Sequence, residues 1–405
     1  MFFDRKEAFV LLEDGYMLKG FNFGKEGSTL GEVVFTTSMT GYQEILTDPS
    51  FKGQIVTMTY PLIGNVGVNE EDVESYQVHA AGFIILELSP IYSNWRAKDS
   101  LENYLKKENV VGIFDVDTRA LTKHIREKGA MRGGIFTYEK KKGKYILILD
   151  KDKHLGFDNF QNLKDYALNL ILESPKMEGL NLVDKVTTKE KFIWKTGTWT
   201  LEGYKKYEDN HFKFKVGVLD FGIRYNILRC MVDVGILPIV LPANTTAEEI
   251  LKMDLDGLFL SCGPGDPAAV PYIKTLKELF EKFKKPIFGI CLGHQLTALA
   301  FGGKTFKLKF GHRGANQPVL NLENKKVEIT AQNHGFAVDI KKLPKDFEVS
   351  HISLNDKTLE GMKHKTKPIF TVQYHPESSP GPHDSRYLFK KFYELLEEHF
   401  KCCCG

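Results

Sequence analysis

The second half of the chain alternates short apolar runs with segments of helical spacing, and this order constrains the fold more than any other feature. Four apolar runs predict buried strands, at 216–219, 236–241, 257–260 and 287–290. Helices are predicted between and after them, at 223–234, 246–253, 271–283 and 295–301. Repeated strand–helix units favour a doubly wound, mostly parallel sheet with helices on both faces. Such sheets bind ligands beyond the carboxyl ends of their strands, so functional residues are expected at that edge.

A cysteine lies at this edge, between two glycines. Cys291 follows the predicted strand 287–290 and stands in the pattern Gly289-x-Cys291-x-Gly293, ahead of a helix. A strand, a tight turn and a helix form the context of a nucleophile elbow, in which glycines leave room for a strained turn. A helix start also favours the thiolate, the reactive form of cysteine. The motif alone leaves open a second interpretation, a buried core cysteine after a strand.

A thiol nucleophile needs a base, and the base needs an orienting group. His375-Pro376-Glu377 offers both, because residues two apart on an extended segment point to the same side. Pro376 keeps the segment extended. We therefore predict a triad of Cys291, His375 and Glu377, against the alternative of a surface histidine and glutamate at a strand end.

Three other histidines are candidates for the base. His294 follows the cysteine too closely in the chain, and we expect it to begin the helix or to pack. His312 and His334 have suitable chemistry, but no carboxylate is positioned with either in the sequence. We expect both to be structural or adjacent to the substrate.

An oxyanion hole is expected from backbone N–H groups near the cysteine. Leu292 would supply one, and the loop Gly263-Pro264-Gly265 another, since glycines let a backbone approach a ligand closely. An ordinary Gly-Pro turn is the alternative for this loop. Gln295, one turn into the helix, could donate to a substrate amide or carboxylate.

The chain is divided into four predicted regions. Residues 1–150 form a β-rich α+β domain, 151–214 a connector packed across the domains, 215–400 the α/β domain, and 401–405 a tail with three consecutive cysteines. Within the first region, Ser38 to Ser50 is predicted as a loop. Its small and aromatic residues favour an interface or site loop over plain surface.

Composition excludes several classes of function. A net charge of +3 over 405 residues is too near neutral to indicate nucleic-acid binding. No apolar run reaches the length of a membrane span, and no signal sequence is recognised, so we expect a soluble, cytoplasmic protein. The spacing of the cysteines fits neither a zinc site nor a secreted disulfide framework, and no metal site is expected.

The motifs together resemble a known family. Gly289 to Gln295, with His375 to Glu377, is similar to the class I (triad) glutamine amidotransferases. A closer resemblance, to the small subunits of carbamoyl-phosphate synthetases, covers nearly the whole chain. It is carried by segments 31–50, 60–67, 115–119, 261–267, 310–318, 331–339 and 375–384. One departure is Cys262, where the family has asparagine.

The resemblance implies a role for each matching residue. Cys291 would attack the side-chain carboxamide of L-glutamine, and His375, oriented by Glu377, would move the protons. The oxyanion would be held by the amides of Leu292 and Gly263. The residues implied to bind glutamine further include Ser50, Gly265, Gln295, Asn333, Gly335 and Phe336.

The resemblance also implies a partner. Ammonia would pass to a large synthetase subunit, which makes carbamoyl phosphate from bicarbonate with ATP and a divalent metal, so no cofactor is expected in this chain. The absence of a Walker-type phosphate loop agrees with ATP chemistry elsewhere. The arginine and pyrimidine pathways, and higher oligomers of the heterodimer, stay open.

Three alternatives to this function remain from the sequence. One is the glutaminase component of another biosynthetic enzyme, which the N-terminal domain disfavours. Another is a non-enzymatic regulator on an inactive fold, which the intact Cys291, His375 and Glu377 disfavour. The last is a cysteine hydrolase of the same architecture that acts on peptides or esters.

Overall fold

The computed structural model describes residues 5–403 and divides the chain into two compact units, between Met177 and Glu178. This boundary lies inside the segment 151–214 predicted as a connector. The predicted tail, 401–405, falls partly outside the described residues. In the part of the chain that is described, no helix is both long enough and apolar enough to cross a membrane.

The first unit is rich in β-structure, as the sequence predicted. Its strands are β1 (Glu7–Leu12), β2 (Met17–Gly24), β3 (Ser28–Thr36), β4 (Gln54–Met58), β5 (Leu62–Ile63), β6 (Gly82–Ile84), β7 (Glu87–Leu88), β8 (Val111–Phe114), β9 (Met131–Lys141), β10 (Lys144–Asp150) and β11 (Lys153–Phe157). Its helices are α1 (Tyr42–Thr47), α2 (Leu101–Lys107), α3 (Thr118–Lys128) and α4 (Phe160–Glu173). Nine of the strands form one sheet in the order β1-β2-β8-β6-β4-β3-β9-β10-β11, and β1 also pairs with β9.

The prediction of a loop from Ser38 to Ser50 is wrong in part, because this segment contains α1 and a short 3-10 helix at Pro49–Phe51. Ile45 and Leu46 of α1 are buried in the core of the first unit. A helix of six residues is too short to show helical periodicity in a sequence, and tertiary burial stabilises it instead.

The second unit carries the predicted strand–helix alternation. Its strands are β12 (Phe192–Ile193), β13 (Thr196–Thr200), β14 (Gly203–Lys206), β15 (Phe214–Asp220), β16 (Ile236–Pro242), β17 (Gly257–Leu260), β18 (Ile287–Ile290), β19 (Thr305–Asn321), β20 (Val327–Val338), β21 (Phe347–Ser353), β22 (Leu359–His364) and β23 (Ile369–Val372). Its helices are α5 (Tyr225–Asp233), α6 (Ala247–Lys252), α7 (Ile273–Lys282), α8 (Leu292–Ala300) and α9 (Tyr387–Cys403).

Ten of these strands form one sheet in the order β12-β16-β15-β17-β18-β23-β22-β21-β19-β20. The strands from β16 to β23 in this order are parallel, and the others run antiparallel to their neighbours. Side chains of α6, α7 and α8 pack in the core on one face, and those of α5 and α9 in the core on the other. The predicted doubly wound sheet is therefore confirmed.

The antiparallel pair of β19 and β20 was largely missed from the sequence. β19 was not predicted, and β20 was predicted only as a strand at 327–330. The register of the pair shifts between Lys307 and His312 and again between Gly314 and Gln317. These irregularities remove the period-two alternation by which a strand is recognised.

Phe288 lies at the centre of the parallel sheet and is fully buried. Its ring stacks on Phe370 with a centroid distance of 4.3 Å and meets the edge of Phe259 at 5.2 Å. It also contacts Phe389 and Phe392 of α9, at 6.1 and 5.7 Å. This aromatic cluster attaches the last helix to the strand that precedes Cys291.

We therefore expect Phe288→Ala to lower the free energy of unfolding by about 3–5 kcal/mol, through lost burial and the cavity left behind. Chemical denaturation monitored by circular dichroism measures this change. Phe306→Ala is the control, because Phe306 is 45% exposed and its loss should cost much less. Equal costs for the two variants would contradict the central role of the cluster.

Candidate active site

Cys291 occupies a strained turn between β18 and α8. Its backbone has φ 52° and ψ −104°, in a region that non-glycine residues rarely adopt. Its N–H donates to the carbonyl of Val372 at 2.9 Å, which fastens the turn to the end of β23. Strain of this kind persists only where the surroundings hold it, and it is typical of a nucleophile elbow.

The glycines on either side of Cys291 are required by close packing. A Cβ atom on Gly293 would lie 2.2 Å from the carbonyl oxygen of Leu260, at the end of β17. A Cβ atom on Gly289 would lie 2.9 Å from the side chain of Thr371. The spacing in the sequence thus reflects an elbow that is pressed between two neighbouring strands.

The thiol of Cys291 is 2% exposed and donates weakly to the carbonyl of Asn333, with an S–O distance of 3.8 Å. The cysteine caps α8, so its sulfur lies at the positive end of a nine-residue helix. This position favours negative charge on sulfur.

His375 and Glu377 lie together, both nearly inaccessible to solvent. Nδ1 of His375 is 2.7 Å from Oε1 of Glu377. The backbone N–H of His375 donates to Ala331 at 2.8 Å, in an isolated β-bridge that fixes the segment. The carboxylate therefore accepts the Nδ1 proton and leaves Nε2 for chemistry.

Burial lowers the pKa of His375, but the charge of Glu377 and the Cys291 side chain raise it more, so the net pKa is about 10. Within the described residues, no protein atom hydrogen-bonds Nε2 of His375, and the Cys291 side chain is among the groups that raise the pKa of this imidazole. The arrangement favours a proton on the imidazole beside the sulfur.

Arg224 and Asn226 hydrogen-bond Glu377 and hold it in place, and the sequence analysis missed both. Nη1 of Arg224 donates to Oε1 of Glu377 at 3.1 Å, and Nδ2 of Asn226 donates to the backbone carbonyl of Glu377 at 2.7 Å. Both residues follow the first parallel strand, β15, at the carboxyl edge of the sheet. That position was the available signal, since it is the edge where a buried arginine can meet the site.

The loop after β17 packs against the elbow. The carbonyl of Ser261 accepts the N–H of Gly293 at 3.0 Å, and its hydroxyl accepts the N–H of Phe221 at 2.9 Å. A Cβ atom on Gly263 would lie 2.2 Å from the carbonyl of Phe221, and beside the side chain of Leu292. Gly265 has φ 91°, which favours glycine. Gly263 and Leu292 are thus brought together.

Gln295 connects α8 to β20. Its Nε2 donates to the carbonyl of Phe336 at 2.7 Å and to Oε1 of Gln373 at 3.0 Å. The side-chain amide of Gln295 was predicted to donate to the substrate, but both of its hydrogens bond to protein atoms instead. Asn333, whose carbonyl meets the thiol, and Phe336 are both largely buried, and Gly335 lies between them.

Ser50 belongs to the first unit. It lies in the short 3-10 helix Pro49–Phe51, where its N–H donates to Oδ1 of Asp48 at 2.9 Å. The residue is 5% exposed, and no protein atom among residues 5–403 hydrogen-bonds its hydroxyl.

His294 packs beneath the site, as expected. Its Nδ1 lies 2.8 Å from the hydroxyl of Thr371, and burial lowers its pKa to about 3. A neutral imidazole with a structural hydrogen bond is not a base for Cys291.

The expectation that no carboxylate accompanies His312 is wrong. Nε2 of His312 lies 2.8 Å from Oδ2 of Asp356, and Nδ1 lies 3.6 Å from Oε1 of Glu360. Burial lowers the pKa of His312, but these carboxylates raise it to about 9. They come from a turn and a strand far along the chain, so no local pattern in the sequence links them to His312.

His334 is also buried and has no carboxylate as its hydrogen-bond partner among those described. Nδ1 lies 2.8 Å from the carbonyl of Phe336, and Nε2 lies 3.2 Å from Oε1 of Gln332. Burial and the nearby charge of His312 hold its pKa well below the usual range.

Two family descriptions match separate parts of the chain. Residues 217–395 match "Glutamine amidotransferase class-I", and residues 10–135 match "Carbamoyl-phosphate synthase small chain, CPSase domain". The elbow and the His375–Glu377 pair both lie within the first match.

Full-length relatives carry the same name. The carbamoyl phosphate synthase small chain of Aquifex aeolicus is 52% identical over 97% of this chain and 100% of its own length. Those of Escherichia coli K12 and Salmonella typhimurium LT2 are 49% and 50% identical, over 98% and 97% of this chain and 99% and 98% of their own lengths.

Because Glu377 is a main cause of the raised pKa of His375, Glu377→Gln should lower that pKa by about one to three pH units. Below its pKa the imidazole is protonated, so the variant should lose this proton at a correspondingly lower pH. NMR titration of the labelled imidazole measures the change. Glu323→Gln is the control, and an unchanged pKa in Glu377→Gln would contradict the role of the carboxylate.

Proposed function

Since the chain belongs to the carbamoyl phosphate synthase small-chain family, we propose that it is the glutaminase subunit of such a synthase. It would hydrolyse L-glutamine and deliver ammonia to a large subunit. The observation that carries this proposal is the strained cysteine at the start of α8, combined with a buried His375–Glu377 pair whose imidazole pKa is raised by the Cys291 side chain. A regulator without catalytic activity would have no need for this arrangement.

The first half of the reaction uses the ion pair of Cys291 and His375. The thiolate attacks the carboxamide carbon of the glutamine side chain, and a C–S bond forms as the carbonyl becomes an oxyanion. The imidazolium of His375 gives its proton to the departing nitrogen as the C–N bond breaks. Ammonia leaves, and a glutamyl thioester remains on Cys291.

The second half of the reaction returns the site to its starting state. Neutral His375 takes a proton from water, whose oxygen attacks the thioester carbonyl. The C–S bond then breaks, the new carboxyl group loses its remaining proton to solvent as glutamate leaves, and the thiolate and imidazolium are restored. Glu377, supported by Arg224, stabilises the imidazolium in both halves of the cycle.

We assign binding of the oxyanion to the backbone N–H groups of Leu292 and Gly263. Leu292 belongs to the elbow, and the loop that contains Gly263 is joined to the elbow by the Ser261–Gly293 hydrogen bond. Glutamine itself would be held by Ser50, Gly265, Gln295, Asn333, Gly335 and Phe336. Because Gln295 donates both amide hydrogens within the protein, its carbonyl oxygen is the atom we assign to the substrate.

The ammonia acceptor is proposed to lie on a separate large subunit. That subunit would hold ATP and a divalent metal and would make carbamoyl phosphate from bicarbonate, while this chain needs no cofactor of its own. We place the heterodimer in the cytoplasm, in the supply of carbamoyl phosphate for arginine or pyrimidine synthesis.

The first unit offers a surface suited to this partner. Leu86, Ile91 and Tyr92, here named the Ile91 surface, are 38%, 75% and 43% exposed and line a cavity of about 1170 Å³. Apolar side chains grouped at a surface in this way mark protein interfaces. We propose that the large subunit covers the Ile91 surface.

Reconstitution tests the function directly. The purified chain is combined with a carbamoyl phosphate synthase large subunit, ATP and bicarbonate, and carbamoyl phosphate is measured with glutamine or with ammonia as the nitrogen donor. Synthesis from glutamine that depends on this chain supports the proposal. Hydrolysis of glutamine without carbamoyl phosphate, although ammonia is used, would reject the proposed partner.

Cys291→Ser should abolish glutamine hydrolysis, with a loss of at least about 10³-fold, because a hydroxyl beside His375 is a far weaker nucleophile than a thiolate. Ammonia release from glutamine measures the loss. Circular dichroism and co-sedimentation with the large subunit show that the variant is folded and assembled.

Cys230→Ser is the matched control, since Cys230 is a buried cysteine on α5 that we assign no role in the chemistry. Substantial glutaminase activity in Cys291→Ser would refute the assignment of the nucleophile.

Ile91→Asp should weaken binding of the large subunit at least about tenfold, because it places a charge in the apolar contact. Analytical ultracentrifugation measures the affinity. Leu201→Asp, in an exposed turn of the second unit, is the control and should bind normally. Equal affinities for the two variants would place the contact elsewhere.

A further inference from the structure

A second group of buried polar atoms lies among the antiparallel strands of the second unit. His312 on β19, His334 on β20 and Glu360 on β22 each present a possible metal ligand, and these ligand atoms lie within 4.8 Å of one another. The residues are 9%, 4% and 0% exposed. Gln332, 4% exposed, completes the group. The four residues are named the His312 cluster.

The hydrogen bonds around the His312 cluster fix which nitrogen of each neutral ring, the form that binds metal, carries the proton. Nε2 of His312 lies 2.8 Å from a carboxylate oxygen of Asp356, and Nδ1 of His334 lies 2.8 Å from the carbonyl of Phe336. Both partners can only accept, so the N–H of each neutral ring belongs there. The lone pairs of the opposite nitrogens, Nδ1 of His312 and Nε2 of His334, are directed into the cluster.

The atoms that these nitrogens face are also acceptors. Nε2 of His334 lies 3.2 Å from Oε1 of Gln332. Turning the amide of Gln332 around would bring its oxygen against the oxygens of Glu360 and Thr330, to which its Nε2 donates at 3.1 and 3.2 Å, so this orientation is disfavoured. The lone pairs of His334 Nε2 and Gln332 Oε1 therefore face each other in the protein interior. This contact is repulsive unless a positive charge lies between the two atoms.

Nδ1 of His312 has no hydrogen bond to any atom in the described chain, although it is buried. It lies 3.6 Å from Oε1 of Glu360, which is longer than an ordinary hydrogen bond. Two ligands of one tetrahedral ion, each about 2.0–2.1 Å from it, are separated by a little over 3 Å. The spacing thus suits shared coordination better than a direct hydrogen bond.

The contacts beyond the cluster match those of known metal sites. Metal-binding histidines usually donate their other N–H to a carboxylate or a backbone carbonyl, which orients the ring. Asp356 plays this part for His312, and the Phe336 carbonyl plays it for His334. Two imidazoles and one carboxylate form a ligand set that suits zinc and its neighbours, rather than calcium or magnesium.

We propose that His312, His334 and Glu360 bind a divalent transition-metal ion of the zinc class, with Gln332 Oε1 or water as the fourth ligand. The ion would join β19, β20 and β22. β20 also carries Asn333 and Gly335, so the bound ion would hold this strand in place beside Cys291. The site stands on its own ligand geometry and does not depend on the proposed glutaminase reaction.

Cobalt(II) is the probe, because its visible absorption distinguishes tetrahedral nitrogen and oxygen ligands from water and from thiolates. The full-length chain is used with Cys291, Cys402, Cys403 and Cys404 changed to serine, which leaves only the buried Cys230 and Cys262 as sulfur ligands. We expect one tetrahedral cobalt per chain, displaced by zinc, and a rise of several degrees in the thermal midpoint when zinc is added. Absence of such binding would overturn the proposal.

Three variants locate the ion. In the same serine background, Glu360→Gln and His312→Gln should each weaken cobalt binding at least about tenfold, and Asp356→Asn by about 10–100-fold. Glu348→Gln, on the adjacent strand β21, is the matched control and should bind normally. Circular dichroism establishes that each variant is folded, and His312→Gln carries the test if Glu360→Gln is not.

Cobalt binding that survives both Glu360→Gln and His312→Gln would place the ion elsewhere and overturn the assignment. Zinc stabilisation that is equal in the parent and in His312→Gln would do the same. Either result would mean that a proton, rather than a metal ion, relieves the repulsion within the cluster.

Discussion

The close approach between the turn at Cys291 and the end of β17 is the constraint on which the site depends. Gly293 packs so tightly on the Leu260 carbonyl that no side chain fits there. The same packing lets the carbonyl of Ser261 accept the N–H of Gly293, while Cys291 is held by Val372 on the other side. Three parallel strands thus end around one sulfur atom, and the backbone strain at Cys291 is sustained by this contact.

A series of buried side chains, each in contact with the next, extends from that sulfur. Cys291 affects His375, His375 is bound by Glu377, and Glu377 is bound by Arg224. Removing one member of a buried charged group leaves its neighbour uncompensated, so these side chains act as a unit. The protonated imidazole beside the sulfur follows from the whole chain of contacts.

Much of this could be predicted from the sequence. The strand–helix alternation indicated the doubly wound sheet, because the periodicity of buried strands and amphipathic helices is local. The elbow was visible because glycine is the residue that fits its close contacts. The pairing of His375 with Glu377 was visible because both lie on one short extended segment. The long strand β19 was missed because its irregular register hides the alternation of a strand.

The sequence by itself determined which segments form the elbow and the histidine–carboxylate pair, since each depends on neighbours within a few residues. Only the tertiary structure decided what surrounds them. Arg224 meets Glu377 across 153 positions, and Asp356 and Glu360 meet His312 across 44 and 48 positions in the chain. Coulombic attraction depends on distance in space, and no local pattern of residues encodes which charged groups far apart in the chain will meet.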